Sequence, residues 1–177
     1  MEEKLNLLHL YTGEGKGKTT AAMGLALRAL GHGRHVLIAQ FMKTGRSGEL
    51  SALKQLNGAH VYEAPPIGKF TFRMTPQERE AACEQHARAL NELCELIDRE
   101  RPGLTVLDEL ALTAQRGLVS EADMWRLIER GLSCGEVVVT GRYAPESLQE
   151  RADYVSEIVK RRHPYDVGIH ARSGIEF

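Results

Sequence analysis

The sequence has no apolar run long enough to cross a bilayer. Its first residues, "MEEKLNLLHL", are acidic and then apolar, unlike a secretory signal. It has only three cysteines, Cys83, Cys94 and Cys134, scattered and odd in number. C-x-x-C and H-E-x-x-H are both missing, which argues against a built-in zinc or iron–sulfur centre. A reducing cytoplasm is the expected setting. Net charge is −1, with no long basic stretch, so neither nucleic acid nor a membrane surface is expected as a partner. Internal repeats, low-complexity segments and interdomain linkers are also lacking, so residues 1–177 are expected to form a single domain. With 42% hydrophobic and 27% charged residues, the chain can bury a core without disulfides.

Short apolar strands alternate with helical stretches. Strands are expected at Leu5–Tyr11, His35–Phe41, His60–Ala64, Leu104–Glu109, Glu136–Gly141 and Asp153–Val159. Helices are expected from Lys18 to Gly31, Ser47 to Gly58, Pro76 to about Glu100, around Ser120–Gly131, and over Ala144–Ala152. Thr75-Pro76-Gln77-Glu78 reads as a capping box with proline in the first turn. Arg101-Pro102-Gly103 ends that helix, and the tail after Lys160 reads as irregular. The alternation implies an α/β fold, a mostly parallel sheet covered by helices on both faces.

"YTGEGKGKTT" lies between the first strand and the first helix, where a phosphate-binding loop belongs. The usual spacing, G-x-x-x-x-G-K-[ST], would put its first glycine at position 12. Thr12 stands there, and the glycine is Gly13. Gly13, Glu14, Gly15, Lys16, Gly17, Lys18, Thr19 and Thr20 are therefore the candidate nucleotide-binding residues. Loop amides and the helix N-terminus would receive phosphate, Lys18 would add a mobile charge, and Lys16 a second one. The Thr19 hydroxyl would face magnesium. Read alone, the same stretch is a glycine turn with exposed lysines.

Asp108 and Glu109 close an apolar strand and are the candidate carboxylates for Mg2+, with the choice between them left open; a solvated strand end is the alternative. Arg142, after another buried strand, opens on the same sheet edge and could meet triphosphate or a ribose hydroxyl. Arg28, ten residues beyond Lys18, could reach the ligand or be solvated. Phe70 and Phe72 could form an apolar wedge against a large flat ligand, although taken alone they read better as core. The seven histidines read as structural or exposed.

Together, "TGEGKGKTTAAMGLALRALGHG", "QFMK", "VLDEL", "VVTGRYAPESLQERADYVSEI" and "HPYDVGIHARSGIEF" resemble the ATP:corrinoid adenosyltransferases of the phosphate-loop type. That family shows T-G-x-G-K-G-K-T-T, with the glycine shifted as here. The resemblance implies a RecA-like fold and usually a homodimer. It implies transfer of the 5′-deoxyadenosyl group of ATP to the cobalt(I) of a reduced corrinoid, with release of triphosphate. The substrates would be ATP and corrinoid, the metal Mg2+, and the electron donor a reduced flavoprotein. Lys16, Lys18, Thr19 and Glu109, with Asp108, would hold the departing triphosphate and the metal. Phe70 and Phe72 match aromatic positions beneath the corrin ring that exclude the lower axial ligand and ease reduction of cobalt(II). The alternatives are a phosphate-loop kinase, which would release ADP, and an ATP-dependent switch protein.

Overall fold

The computed structural model describes residues 6–42, 47–66 and 71–176. In chain order the elements are β1 (Leu8–Thr12), α1 (Lys18–Gly31), β2 (Val36–Gln40), α2 (Gly48–Leu53), β3 (Ala59–Glu63), α3 (Pro76–Glu100), β4 (Leu104–Asp108), α4 (Leu110–Gln115), α5 (Glu121–Leu132), β5 (Glu136–Thr140), α6 (Glu146–Arg151) and β6 (Tyr154–Glu157). The six strands form one sheet in the order β3-β2-β4-β5-β1-β6. Every pairing is parallel, as the strand–helix alternation requires. The strand before the phosphate loop, β1, and the carboxylate strand, β4, are separated by β5. This is the α/β, RecA-like arrangement expected from the sequence.

Side chains alternate across the sheet and make a core on each face. Leu8 and Leu10 of β1, Leu37 and Ala39 of β2, and Val137 and Val139 of β5 pack against α3 and α5 residues such as Leu90, Leu93, Ile97, Met124 and Ile128. Val36, Ile38, Leu104, Val106 and Val138 turn to the other face, beneath Ala22, Met23 and Ala26 of α1 and Leu50 and Leu53 of α2. Both faces are needed because these strands are apolar at successive positions.

The local signals set several boundaries. Thr75 Oγ1 accepts from the Glu78 amide and the Glu78 carboxylate accepts from the Thr75 amide, completing the capping box of α3. Arg101 ends α3 in the left-handed region, at φ 46. The helix expected over 47–58 is shorter: it stops at Leu53. There the amides of Gln55 and Leu56 tighten onto carbonyls three residues back, and Gly58, at φ 86, turns the chain into β3. The first strand begins at Leu8 rather than Leu5. Helix α4 has no counterpart in the sequence reading. No described helix is long and apolar enough to cross a membrane.

Candidate active site

Thr12, Gln40, Asp108 and Thr140 are the last residues of β1, β2, β4 and β5. All four are buried, at one edge of the sheet. In an open parallel sheet this carboxyl edge is where ligands bind.

The phosphate loop leaves this edge from Thr12. The shifted glycine follows from strand pairing. Thr12 is still part of β1 and lies in register with Glu157 of β6, so the turn begins one residue later. Gly13 takes φ 93, and a Cβ there would lie 2.6 Å from the Ile158 carbonyl oxygen. A Cβ on Gly15 would meet the same oxygen at 2.6 Å. The chain after β6 thus presses on the loop too closely for any side chain at either position.

Lys18 opens α1 and is buried. Its Nζ donates to the carbonyls of Gly13 at 2.7 Å and Gly15 at 2.8 Å, lying across the loop. Burial lowers its pKa and Arg142 lowers it further, against the opposing pull of Glu109, Asp108 and Glu14. Arg142 itself is exposed. Lys16, Glu14 and Thr20 are exposed as well. Glu14 accepts from the Tyr143 hydroxyl at 2.7 Å, so the loop is tied to the turn after β5.

Thr19 Oγ1 donates to Asp108 Oδ1 at 2.8 Å. The same oxygen accepts from Thr140 Oγ1 at 2.7 Å. Asp108 Oδ2 accepts from Gln40 Nε2 at 2.8 Å. Glu109, half-buried, starts α4 from a left-handed conformation at φ 62, its amide donating to Thr140 Oγ1 at 2.9 Å. The two carboxylates therefore differ: Asp108 faces Thr19 directly, whereas the Glu109 main chain is turned by β5. A hydroxyl and a carboxylate beside a phosphate loop are the hard oxygen donors that suit magnesium, which retains water and substrate phosphates as its other ligands.

Not every candidate comes together. Arg28 stands in the last turn of α1, ten residues or about 15 Å along the helix from Lys18. It lines a cleft with Leu7, Leu104 and Glu136 at the opposite edge of the sheet, away from the loop. Phe72 does not fold back as core: it lies in a short 3-10 turn, Thr71–Arg73, 71% exposed, with the Arg73 guanidinium 5.6 Å from its ring centre. Phe70 lies outside the described residues. His86 is buried in α3 against Phe41, and its Nδ1 lies 2.7 Å from the Ala82 carbonyl, a structural placement.

The model of the family described as ATP:corrinoid adenosyltransferase BtuR/CobO/CobP matches residues 4–177. The chain belongs to the ATP:corrinoid adenosyltransferases. A corrinoid adenosyltransferase of Sinorhizobium sp is 32% identical over 177 residues, covering 99% of this chain and 82% of the relative. Those of Pseudomonas aeruginosa and Salmonella typhimurium are each 32% identical, covering 99% of this chain and 85% and 88% of theirs. In this member of the family the site includes residues that sequence reasoning passed over: Gln40, Thr140 and Tyr143. For Gln40 and Thr140 the available signal was a polar residue near the end of an apolar strand.

Proposed function

We propose that the protein transfers the 5′-deoxyadenosyl group of ATP to the cobalt of a reduced corrinoid, and that its phosphate loop holds the triphosphate as the leaving group. The observation that carries this reading is the match along residues 4–177 to the family, joined to a phosphate loop whose lysine and threonine meet at a buried carboxylate. Cobalt(I) supplies the electron pair that forms the Co–C5′ bond. The C5′–O bond breaks, and its electron pair leaves with triphosphate. No proton has to be removed from the nucleophile, so the protein's task is positioning and charge stabilisation.

Lys18 is poised for that task. Phosphate oxygens arriving in the loop replace the Gly13 and Gly15 carbonyls as acceptors for its Nζ. Lys16 and Arg142 are exposed cations beside the same loop and supply further charge. Thr19 and Asp108, with Glu109 nearby, would hold Mg2+, which neutralises triphosphate charge when bound. Phe72 offers an exposed apolar ring to the corrin, where it would keep the lower axial ligand off cobalt(II) and so favour reduction. A reduced flavoprotein as electron donor and a homodimer belong to the same proposal.

The test is anaerobic mixing of the protein with ATP, magnesium and chemically reduced cob(I)alamin, followed by identification of both products. Adenosylcobalamin with inorganic triphosphate is expected. Formation of ADP, or ATP bound and unchanged, would overturn the assignment in favour of a kinase or a switch.

A further inference from the structure

Gln40 has no place in the chemistry above, yet it is 4% exposed at the end of a central strand. It lies in register with Asp108 on the neighbouring strand β4. Its Nε2 donates to Asp108 Oδ2 at 2.8 Å. Its Oε1 accepts from Ser47 Oγ at 3.2 Å. Ser47 is itself buried at the N-cap position of α2, and its side chain makes no capping hydrogen bond to that helix. Thr19 and Thr140 hold the other carboxylate oxygen, Oδ1.

An ionised carboxylate only accepts, so the amide must present its NH2 to Asp108. That leaves the amide oxygen for a donor on the far side, and the Ser47 hydroxyl is that donor. The orientation of Gln40 is thus fixed from both ends. With Oδ1 held by two hydroxyls and Oδ2 by the amide, the Asp108 carboxylate is fixed in its plane, and Oδ1 is directed at Thr19.

We propose that Gln40, oriented by Ser47, is the positioning residue that aims Asp108 at the metal held with Thr19. This rests on the reading of Thr19 and Asp108 as the magnesium site. Partners that orient a metal-ligating carboxylate typically change metal affinity by about 10–100-fold when removed. The hydrogen bonds of Gln40 described here go to Asp108 and Ser47 and not to the loop glycines or Lys18, so its effect is expected in the metal-dependent part of nucleotide binding.

The test is calorimetric titration of ATP into the full chain, once with EDTA and once across a magnesium series, for the wild type, Gln40→Leu and Ser47→Ala. Wild-type protein is expected to bind ATP more tightly as magnesium rises. In Gln40→Leu the magnesium concentration giving half of that gain should rise about tenfold or more. Ser47→Ala, which frees the amide without removing it, should shift the same midpoint by less. Affinity in EDTA and the circular dichroism spectrum should stay as in the wild type for both. An unchanged magnesium midpoint in both variants overturns the role of Gln40 while leaving the metal site standing. Equal losses with and without magnesium also overturn it, as a general packing effect. A wild type whose ATP affinity ignores magnesium overturns both readings.

Discussion

The Gly15 amide donates to the Ile158 carbonyl at 2.6 Å, so the phosphate loop is fastened to the chain that leaves β6. A Cβ on Gly15 would lie 2.6 Å from that same oxygen and 2.8 Å from the Ile158 side chain. The nearest of these atoms is backbone, which leaves little room to yield. Gly15→Ala should therefore destabilise the protein by about 1–3 kcal/mol, the usual range for forced overpacking. Thermal denaturation of Gly15→Ala beside Gly24→Ala is the check. Gly24 sits in α1 with nothing within 4 Å of its would-be Cβ, and alanine there should gain roughly 0.5–1 kcal/mol. Equal melting temperatures for the two variants would remove the steric account of the loop.

Lys18→Ala removes the charge that lies across the loop. Hydrogen bonds to charged groups contribute about 1.5–3 kcal/mol each, so ATP binding and turnover should fall by roughly 10–100-fold or more. Nucleotide affinity and single-turnover rate, measured together, decide the matter. Wild-type values for both would mean that the lysine only braces the Gly13 and Gly15 carbonyls.

How much of this was legible in the sequence depended on whether the cause was local. Helix α3 could be bounded because its capping box and its Arg101-Pro102-Gly103 stop are adjacent residues. The bounds of α1 were likewise local. Helix α4 was not legible: six residues, "LALTAQ", follow directly on a strand, and their start depends on a left-handed Glu109 whose amide is held by Thr140 of β5. Gln40 reads as an ordinary strand end until the sheet order places it beside Asp108. Arg28 was left between ligand and solvent in the sequence, and ten residues of helix carry it about 15 Å from Lys18. The glycine shift was visible as a pattern, but its reason, Thr12 paired with Glu157, needed β6 at the edge of the sheet.

Asp108 and Glu109 should separate on substitution. Asp108→Asn puts an amide NH2 against either the Gln40 NH2 or the hydroxyls of Thr19 and Thr140, so at least one donor loses its acceptor. Glu109→Gln leaves those three contacts intact. Magnesium-dependent ATP binding should therefore drop about 10–100-fold in Asp108→Asn and much less in Glu109→Gln. The reverse order in a magnesium titration would make Glu109 the principal ligand.

Arg172 and Glu176 give the tail a pH limit. The Arg172 guanidinium and amide both donate to the Glu176 carboxylate, and Lys16 of the loop adds its charge, holding that carboxyl down at about 2. A depressed carboxyl pKa contributes stability above the unfolded value and loses it as pH falls. The pair should thus be intact above about 4.5, weaken progressively below that, and be gone near pH 2. Carboxyl carbon shifts of Glu176 followed by NMR should show the low midpoint in the wild type and a higher one in Arg172→Ala, where only the backbone amide and Lys16 still hold it down. A normal midpoint in the wild type would mean that Arg172 and Glu176 are not paired in this way.

Phe72 carries the prediction that separates reduction from transfer. Its ring is 71% exposed, so truncation removes little core and the fold should survive. If the ring keeps the lower axial ligand off cobalt, Phe72→Ala should leave transfer from chemically pre-reduced cob(I)alamin near the wild-type rate. The same variant should be slowed when cobalt(II) has to be reduced on the protein. Two parallel assays, one started from cob(I)alamin and one from cob(II)alamin with a reduced flavin as donor, read the difference directly. Equal slowing in both would assign Phe72 to general positioning of the corrinoid, because a group that acts on the reduction step alone cannot retard a nucleophile already formed.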